Sequence, residues 1–147
     1  MNRILIVDDE PGVLNALRRL FHSRPCTYGR LTYELEVETF ESPIAALARA
    51  QEVDFDLALT DYRMPEMDGI SFLIELRKIR PDTARIVLSG VSDIDAVTRA
   101  ITDADTSRFL PKPWNDHLLL NTVAEALTLR MLQLEKAAAE KSATKEN

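Results

Sequence analysis

Five short apolar runs, each followed by a segment whose apolar residues recur at helical spacing, constrain this chain more than any other feature. "RILIV" (3–7), "YELEVETF" (33–40), "DLALT" (56–60), "ARIVLS" (84–89) and "RFLP" (108–111) have the length and composition of strands. The first, third and fourth are unbroken enough to be buried on both faces, as central parallel strands are. Between them lie "PGVLNALRRLFHS", with Val13, Leu14, Leu17, Leu20 and Phe21 at helical spacing, and "PIAALARAQE". "GISFLIELRKI" follows, with Ile70, Leu73, Ile74 and Leu76, and then "SDIDAVTRAITDA". Pro11 and Pro43 suit first helical turns, and Ser42 and Ser92 suit N-caps. Five βα units in succession predict an α/β fold, a doubly wound parallel sheet with helices on both faces. A chain of 147 residues, 46% of them hydrophobic, is long enough to bury the core of one such domain.

Several function classes are excluded on the same page. No stretch approaches the roughly 20 apolar residues of a membrane span. In "MNRILIVDDE" acids end the apolar run too early for a signal peptide, so a cytoplasmic protein with no membrane association is expected. Cys26 stands alone, which excludes an intramolecular disulfide, and nothing near it suggests an activated thiol. The formal charge of −6, with no block of Lys or Arg, lacks the footprint of a nucleic-acid binder. His22 and His117 have no second His or Cys at metal-ligand spacing.

In open α/β sheets the functional site lies outside the carboxyl ends of the strands. Asp8 and Asp9 follow the first strand, Asp61 the third, Ser89 the fourth and Lys112 the fifth. Each has an ordinary reading alone: a helix cap for Asp8 or Asp9, a turn former for Asp61 or Ser89, a solvated charge for Lys112. The combination is harder to explain so. Carboxylates brought together repel by roughly 4 kcal/mol per pair at a separation of 4 Å and an effective dielectric of 20, and therefore need a cation. Hard oxygen ligands favour Mg²⁺ or Mn²⁺, and Mg²⁺ shares its remaining positions with water and phosphate oxygens. Lys112 and the Ser89 hydroxyl suit the other oxygens of a phosphoryl group, and a carboxylate beside such a metal suits nucleophilic attack.

In combination, "VDDE", "DYRMPEMDG", "LSG" and "RFLPKPW" resemble the receiver domain of two-component response regulators from Arg3 to about Leu129. The resemblance implies a flavodoxin-like sheet of order 2-1-3-4-5. It implies that Asp61 is the phosphoacceptor, supplied by a sensor histidine kinase or phosphotransfer protein. Asp8, Asp9 and the backbone carbonyl of Arg63 would join Asp61 in binding the metal. Lys112 would contact the phosphoryl, and Ser89 with Phe109 would form the switch that reshapes the face of the fourth helix, fifth strand and fifth helix. Such a receiver is not an enzyme beyond its own phosphorylation and dephosphorylation. "KPW" resembles receivers linked to cyclic-di-GMP phosphodiesterases of the HD-GYP type or to other output modules.

Two departures from the receiver pattern stand out. "HSRPCTYGRLTYE" (22–34) is longer than the usual connection and reads as a tolerated insertion. Arg63, two residues beyond the acceptor, occupies a position that resembles one tuning acyl-phosphate lifetime; it reads either as a cation for the phosphoryl or as a solvated side chain. After Trp114 a single helical pattern from Asn115 to Lys141, about 40 Å long, overshoots a domain about 30 Å across. Residues 1–129 are therefore the expected receiver and 130–147 an extension, with "KSATKEN" expected to fray. The stripe Leu120, Val123, Leu127, Met131, Leu134 and Ala138 runs past the body and predicts either a weak homodimer through the fourth helix, fifth strand, fifth helix and this extension, or an output module beyond it. Two other readings are weighed: a Mg²⁺ phosphohydrolase of the haloacid dehalogenase type, and a scaffold with a vestigial site. The first needs a second Asp at the position of Arg63; the intact acids and lysine count against the second.

Overall fold

The computed structural model describes residues 1–98 and 108–146. Its sheet contains the five expected strands, β1 (Asn2–Val7), β4 (Leu35–Phe40), β5 (Leu57–Asp61), β6 (Ala84–Gly90) and β7 (Arg108–Lys112). They pair in parallel in the order β4-β1-β5-β6-β7, the 2-1-3-4-5 order of the expected fold. The strand period of two divides the core. Ile4, Ile6, Leu57, Leu59, Ile86 and Leu88 face α1 (Pro11–Ser23) and α5 (Asp116–Glu146). Leu5, Val7, Ala58 and Val87 face α2 (Pro43–Glu52), α3 (Gly69–Ile79) and Val97 of α4, the helix described at 94–98. The rest of the fourth helical pattern, 99–104, lies outside the described residues. β5 is buried at every position, which is why its sequence carries no polar alternation.

Helix ends follow their local chemistry. Pro43 opens α2, and the Ala45 N–H donates to Ser42 Oγ at 3.2 Å. Asp68 caps α3 by accepting the Ser71 N–H at 2.8 Å, and Asn115 caps α5 by accepting the Leu118 N–H at 2.9 Å. Ser92 is not a cap: a 3-10 turn, Val91–Asp93, starts after Gly90 and places Ser92 inside it. Ile74 also departs from its expected place and is 42% exposed, because Phe72 takes its share of the buried face of α3.

The long connection after α1 is not a bare insertion. It folds into an antiparallel hairpin, β2 (Cys26–Tyr28) with β3 (Leu31–Tyr33), around a two-residue turn whose Gly29 has φ of 60°. Tyr33 therefore ends the hairpin rather than starting the edge strand. The hairpin lies against α5, where the Tyr33 and Thr128 hydroxyls share a 2.5 Å hydrogen bond and the Cys26 thiol meets the Leu120 carbonyl. Burial pushes the Cys26 thiol up to about 11, so it is a packing residue, not a reactive one.

α5 runs unbroken to Glu146, so "KSATKE" continues the helix instead of fraying. At 1.5 Å per residue its 31 residues span about 46 Å. Its buried face ends at Thr128; Met131 and Leu134 are half-buried, and Leu132 and Ala138 are exposed. Arg130 marks the departure from the body. Its Nε donates to the Asp82 carbonyl at 2.8 Å, and its Nη1 pairs with Asp56 Oδ1 at 3.0 Å. Asp56 in turn accepts the Arg3 N–H at the start of β1, at the amino edge of the sheet.

Candidate functional site

At the opposite, carboxyl edge, β1 and β5 end on acids because the chain leaves the sheet there. Asp8 follows the last residue of β1, is 1% exposed, and donates its N–H to the Phe40 carbonyl at 3.1 Å. Its Oδ1 accepts the Glu10 N–H at 2.9 Å. Asp61 is the last residue of β5 and accepts the N–H of Tyr62 at 2.9 Å. Ligand oxygens from Asp8, Asp9 and Asp61 lie within 4.8 Å of one another. Lys112, at the end of β7, reaches into this cluster: its Nζ is 2.8 Å from Asp8 Oδ2 and 3.0 Å from Asp61 Oδ1.

The charges of this cluster oppose one another. Burial pushes the Asp61 carboxyl above its ordinary value; the hydrogen bond from Lys112 pulls the other way, and the Asp8 charge adds to the rise. For Lys112, burial works against the ammonium, but its bonds to Asp8 and Asp61 outweigh burial and raise its pKa. Three carboxylates and one ammonium leave the site net negative at neutral pH. An all-oxygen donor set with excess negative charge fits a hard divalent cation better than any soft metal.

Gly69 holds this edge together. A Cβ there would meet the Asp61 carbonyl oxygen at 2.1 Å, and its own N–H donates to the Tyr62 carbonyl at 2.7 Å. Only glycine permits α3 to start that close to the acceptor strand. The sequence signal for it was the "DG" closing "DYRMPEMDG".

The remaining expected residues are near this edge but not in the cluster. Ser89 is fully buried at the end of β6, one residue past the partner of Asp61, and its hydroxyl donates to the Gly90 carbonyl at 3.2 Å. Phe109 on β7 is half-buried and packs against the core cluster that includes Val7, Ala58 and Val87, as Tyr62 and Met64 also do. The Arg63 side chain is 75% exposed, as its solvated reading has it, but it is also paired. Its Nε and Nη2 donate to Asp93 Oδ2 and Oδ1 at 2.7 and 2.6 Å. Asp93, in the turn after β6, was not singled out from the sequence. Trp114 follows the cis Lys112–Pro113 peptide and donates its indole N–H to Asp116 Oδ1 at 3.0 Å.

A family model described as the response regulator receiver domain matches residues 4–124. The hydrogenase transcriptional regulatory protein HoxA of Cupriavidus necator is 33% identical over 130 residues, which cover 88% of this chain and 25% of that protein. This chain thus spans about a quarter of that relative. Among solved structures, an uncharacterized protein from Neptuniibacter caesariensis aligns with a TM-score of 0.80 at 37% identity, covering 91% of this chain and 93% of that one. The signal receiver domain of an HD domain-containing protein from Pseudomonas fluorescens Pf-5 aligns with a TM-score of 0.79 at 27% identity, covering 91% and 92%. The phosphohydrolase alternative finds no support, since Arg63 stands where that class needs its second Asp. With its sheet order and its carboxylate cluster, the chain belongs to the response regulator receiver domain family of two-component signalling.

Proposed function

We propose that this receiver accepts a phosphoryl group on Asp61 from the phosphohistidine of a sensor histidine kinase or phosphotransfer protein, and that the modification changes which surface it offers to a partner. The observation that carries this reading is the Asp61 carboxylate at the tip of β5, inside a cluster of acids and 3.0 Å from Lys112. In the transfer, an Asp61 oxygen bonds to phosphorus as the bond from phosphorus to the donor nitrogen breaks. Asp61 supplies the nucleophile, and Lys112, already within reach of Asp61, supplies a cation for the phosphoryl oxygens. Asp8, Asp9, Asp61 and the backbone carbonyl of Arg63 would hold Mg²⁺ or Mn²⁺. When bound, that ion neutralises the acids and polarises the phosphoryl group.

The switch is a population shift, because the phosphoryl favours only the state it contacts better. Ser89 leaves the Gly90 carbonyl for a phosphoryl oxygen, and Phe109 turns inward behind it. The face built from α4, β7 and α5 then changes its preference for partners. Beyond its own phosphorylation and dephosphorylation the chain catalyses nothing. Residues 1–129 form the receiver and 130–147 its extension, whose described part carries α5 to Glu146 toward an output module or a second copy, consistent with burial ending at Thr128. The likeness to the receiver of an HD domain-containing protein favours an output of that class, as "KPW" suggests. Among the described residues no helix is long and apolar enough to cross a membrane.

With acetyl phosphate and Mg²⁺ the chain gains one acid-stable, hydroxylamine-labile phosphoryl, and Asp61→Asn loses it. Equal labelling of that variant would remove Asp61 from its role.

A further inference from the structure

The ion pair between Arg63 and Asp93 belongs to neither the carboxylate cluster nor the switch pair, yet each partner closely follows a member of one of them in the chain. Arg63 is two residues beyond Asp61, and Asp93 is four beyond Ser89. The two side chains meet through two hydrogen bonds, of 2.6 and 2.7 Å. The partners are unequally placed. The Asp93 side chain is 9% exposed and anchored in the turn after β6, whereas the Arg63 side chain is 75% exposed and reaches to it through solvent. Both residues line an open groove of about 610 Å³ that also exposes Asp9, Tyr62, Pro65 and Ala96. That groove borders the acid cluster at Asp9.

We propose that Asp93 is a positioning residue for dephosphorylation: by gripping the Arg63 guanidinium at the rim of this groove, it keeps that cation off the phosphoryl group of Asp61 and leaves the water path open. The inference rests on the reading of Asp61 as acceptor. In the hydrolysis, a water oxygen bonds to phosphorus while the bond from phosphorus to the Asp61 carboxylate oxygen breaks. Inorganic phosphate and a proton leave, and the carboxylate is restored. The water enters opposite the leaving carboxylate, from the solvent side. A guanidinium freed from Asp93 is two residues from a doubly charged phosphoryl and is drawn to its oxygens, because charge-assisted, two-point bonds are the strongest that Arg makes. There it occupies the entry path of the water. The geometry explains why the guanidinium is elsewhere: Asp93, buried and fixed, offers a planar two-oxygen partner of its own. The charges respond accordingly, with the Arg63 hydrogen bonds holding the Asp93 carboxyl below its ordinary value.

The test compares the half-life of the acyl phosphate, made with acetyl phosphate and Mg²⁺ on the full chain, in five proteins: wild type, Asp93→Asn, Asp93→Glu, Arg63→Ala, and Asp93→Asn combined with Arg63→Ala. Asp93→Asn is expected to lengthen the half-life about two- to fivefold, the population change that an exposed ion pair controls. Asp93→Glu keeps a carboxylate for Arg63 and restores most of the wild-type value. In the Arg63→Ala background Asp93→Asn is expected to change nothing relative to Arg63→Ala alone. A second readout needs neither metal nor phosphoryl: the Arg63 Nε–H resonance, held by Asp93 in the wild type, shifts and exchanges faster in Asp93→Asn. Equal half-lives, a shorter half-life, or the same change with and without Arg63 would overturn the proposal, and so would an unmoved Arg63 resonance. A wild-type chain that takes no label at Asp61 overturns the acceptor reading together with the proposal, whereas labelled chains with equal half-lives overturn the proposal alone.

Discussion

Replacing Lys112 with Met removes the one ammonium that, among the described residues, pairs with the acid cluster, while keeping a side chain of similar length. Lys112 is 2.8 Å from Asp8 and 3.0 Å from Asp61, and its side chain is 21% exposed. At an effective dielectric of 20, each contact is a gross attraction of about 6 kcal/mol, and two of the acids at 4.8 Å repel by about 3.5 kcal/mol. These gross figures overstate the loss, because Lys112→Met also relieves the cost of burying an ammonium. The protein has a second escape. One proton taken up by the cluster restores its former net charge, and protonating a carboxyl of ordinary pKa, about 3.9, costs about 4 kcal/mol at pH 7. That figure is a ceiling on the electrostatic penalty, and the raised pKa of Asp61 lowers it. A loss of about 2–4 kcal/mol follows, close to what breaking other buried pairs costs. For a chain of this length it is a fall in Tm of roughly 4–16 °C. At pH 5 the same ceiling is only about 1.5 kcal/mol, so the gap to wild type should narrow as pH falls. Millimolar Mg²⁺ should narrow it at pH 7. Thermal melts by circular dichroism at the two pH values, with and without Mg²⁺, measure all of this. A deficit equal at pH 5 and pH 7 and indifferent to Mg²⁺ would show that Lys112 contributes packing rather than charge.

Three further outcomes are expected. Because the folded-state pKa of Asp61 is raised above 3.8, its ionisation costs stability as pH rises through that region; Asp61→Asn should therefore melt above wild type at pH 7, with the difference shrinking below about pH 4, and a variant no more stable at pH 7 would contradict this. Gly69→Ala should destabilise the chain by about 2 kcal/mol or more and slow acceptor labelling, since a methyl 2.1 Å from the Asp61 carbonyl must push β5 and α3 apart; denaturant unfolding and labelling rates check both. Beryllofluoride with Mg²⁺ should change the fluorescence of Trp114, the only tryptophan and two residues past Lys112, and Asp9→Ala should abolish that change; an undiminished response would reduce Asp9 to a surface acid.

The parts legible in the sequence are those whose physical cause is local. Buried parallel strands need continuous apolar runs, so "RILIV" and "DLALT" announced themselves, and the acid, hydroxyl and ammonium positions followed from where those runs stop. The hairpin was missed because "CTY" and "LTY" are too short to display a period of two, and Tyr33 abuts the edge strand closely enough to merge with it. Ser92 misled because a cap preference is equally at home in a 3-10 turn. The pair of Arg63 and Asp93 joins residues 30 apart, and no spacing rule foretells which acid an exposed arginine will find. Gly69 was visible as a residue but not as a reason, since its need arises from the Asp61 carbonyl across a fold that had yet to be built.

α5 touches both edges of the sheet. Its first turn follows Lys112 at the acid cluster, and Arg130, fourteen residues on, is pinned to Asp56 and Asp82 at the far edge, close to the clasp between Tyr33 and Thr128. About 21 Å of helix lies before Arg130 and about 24 Å after it. Mechanically this is a beam resting on a fulcrum near its midpoint, with arms of almost equal length. A tilt that moves the first turn by an ångström swings the free end by nearly the same distance in the opposite direction. Leu119, Leu120, Val123 and Leu127, packed in the core on the first arm, move with the tilt, and whatever is joined to the far end receives the displacement inverted and almost undiminished.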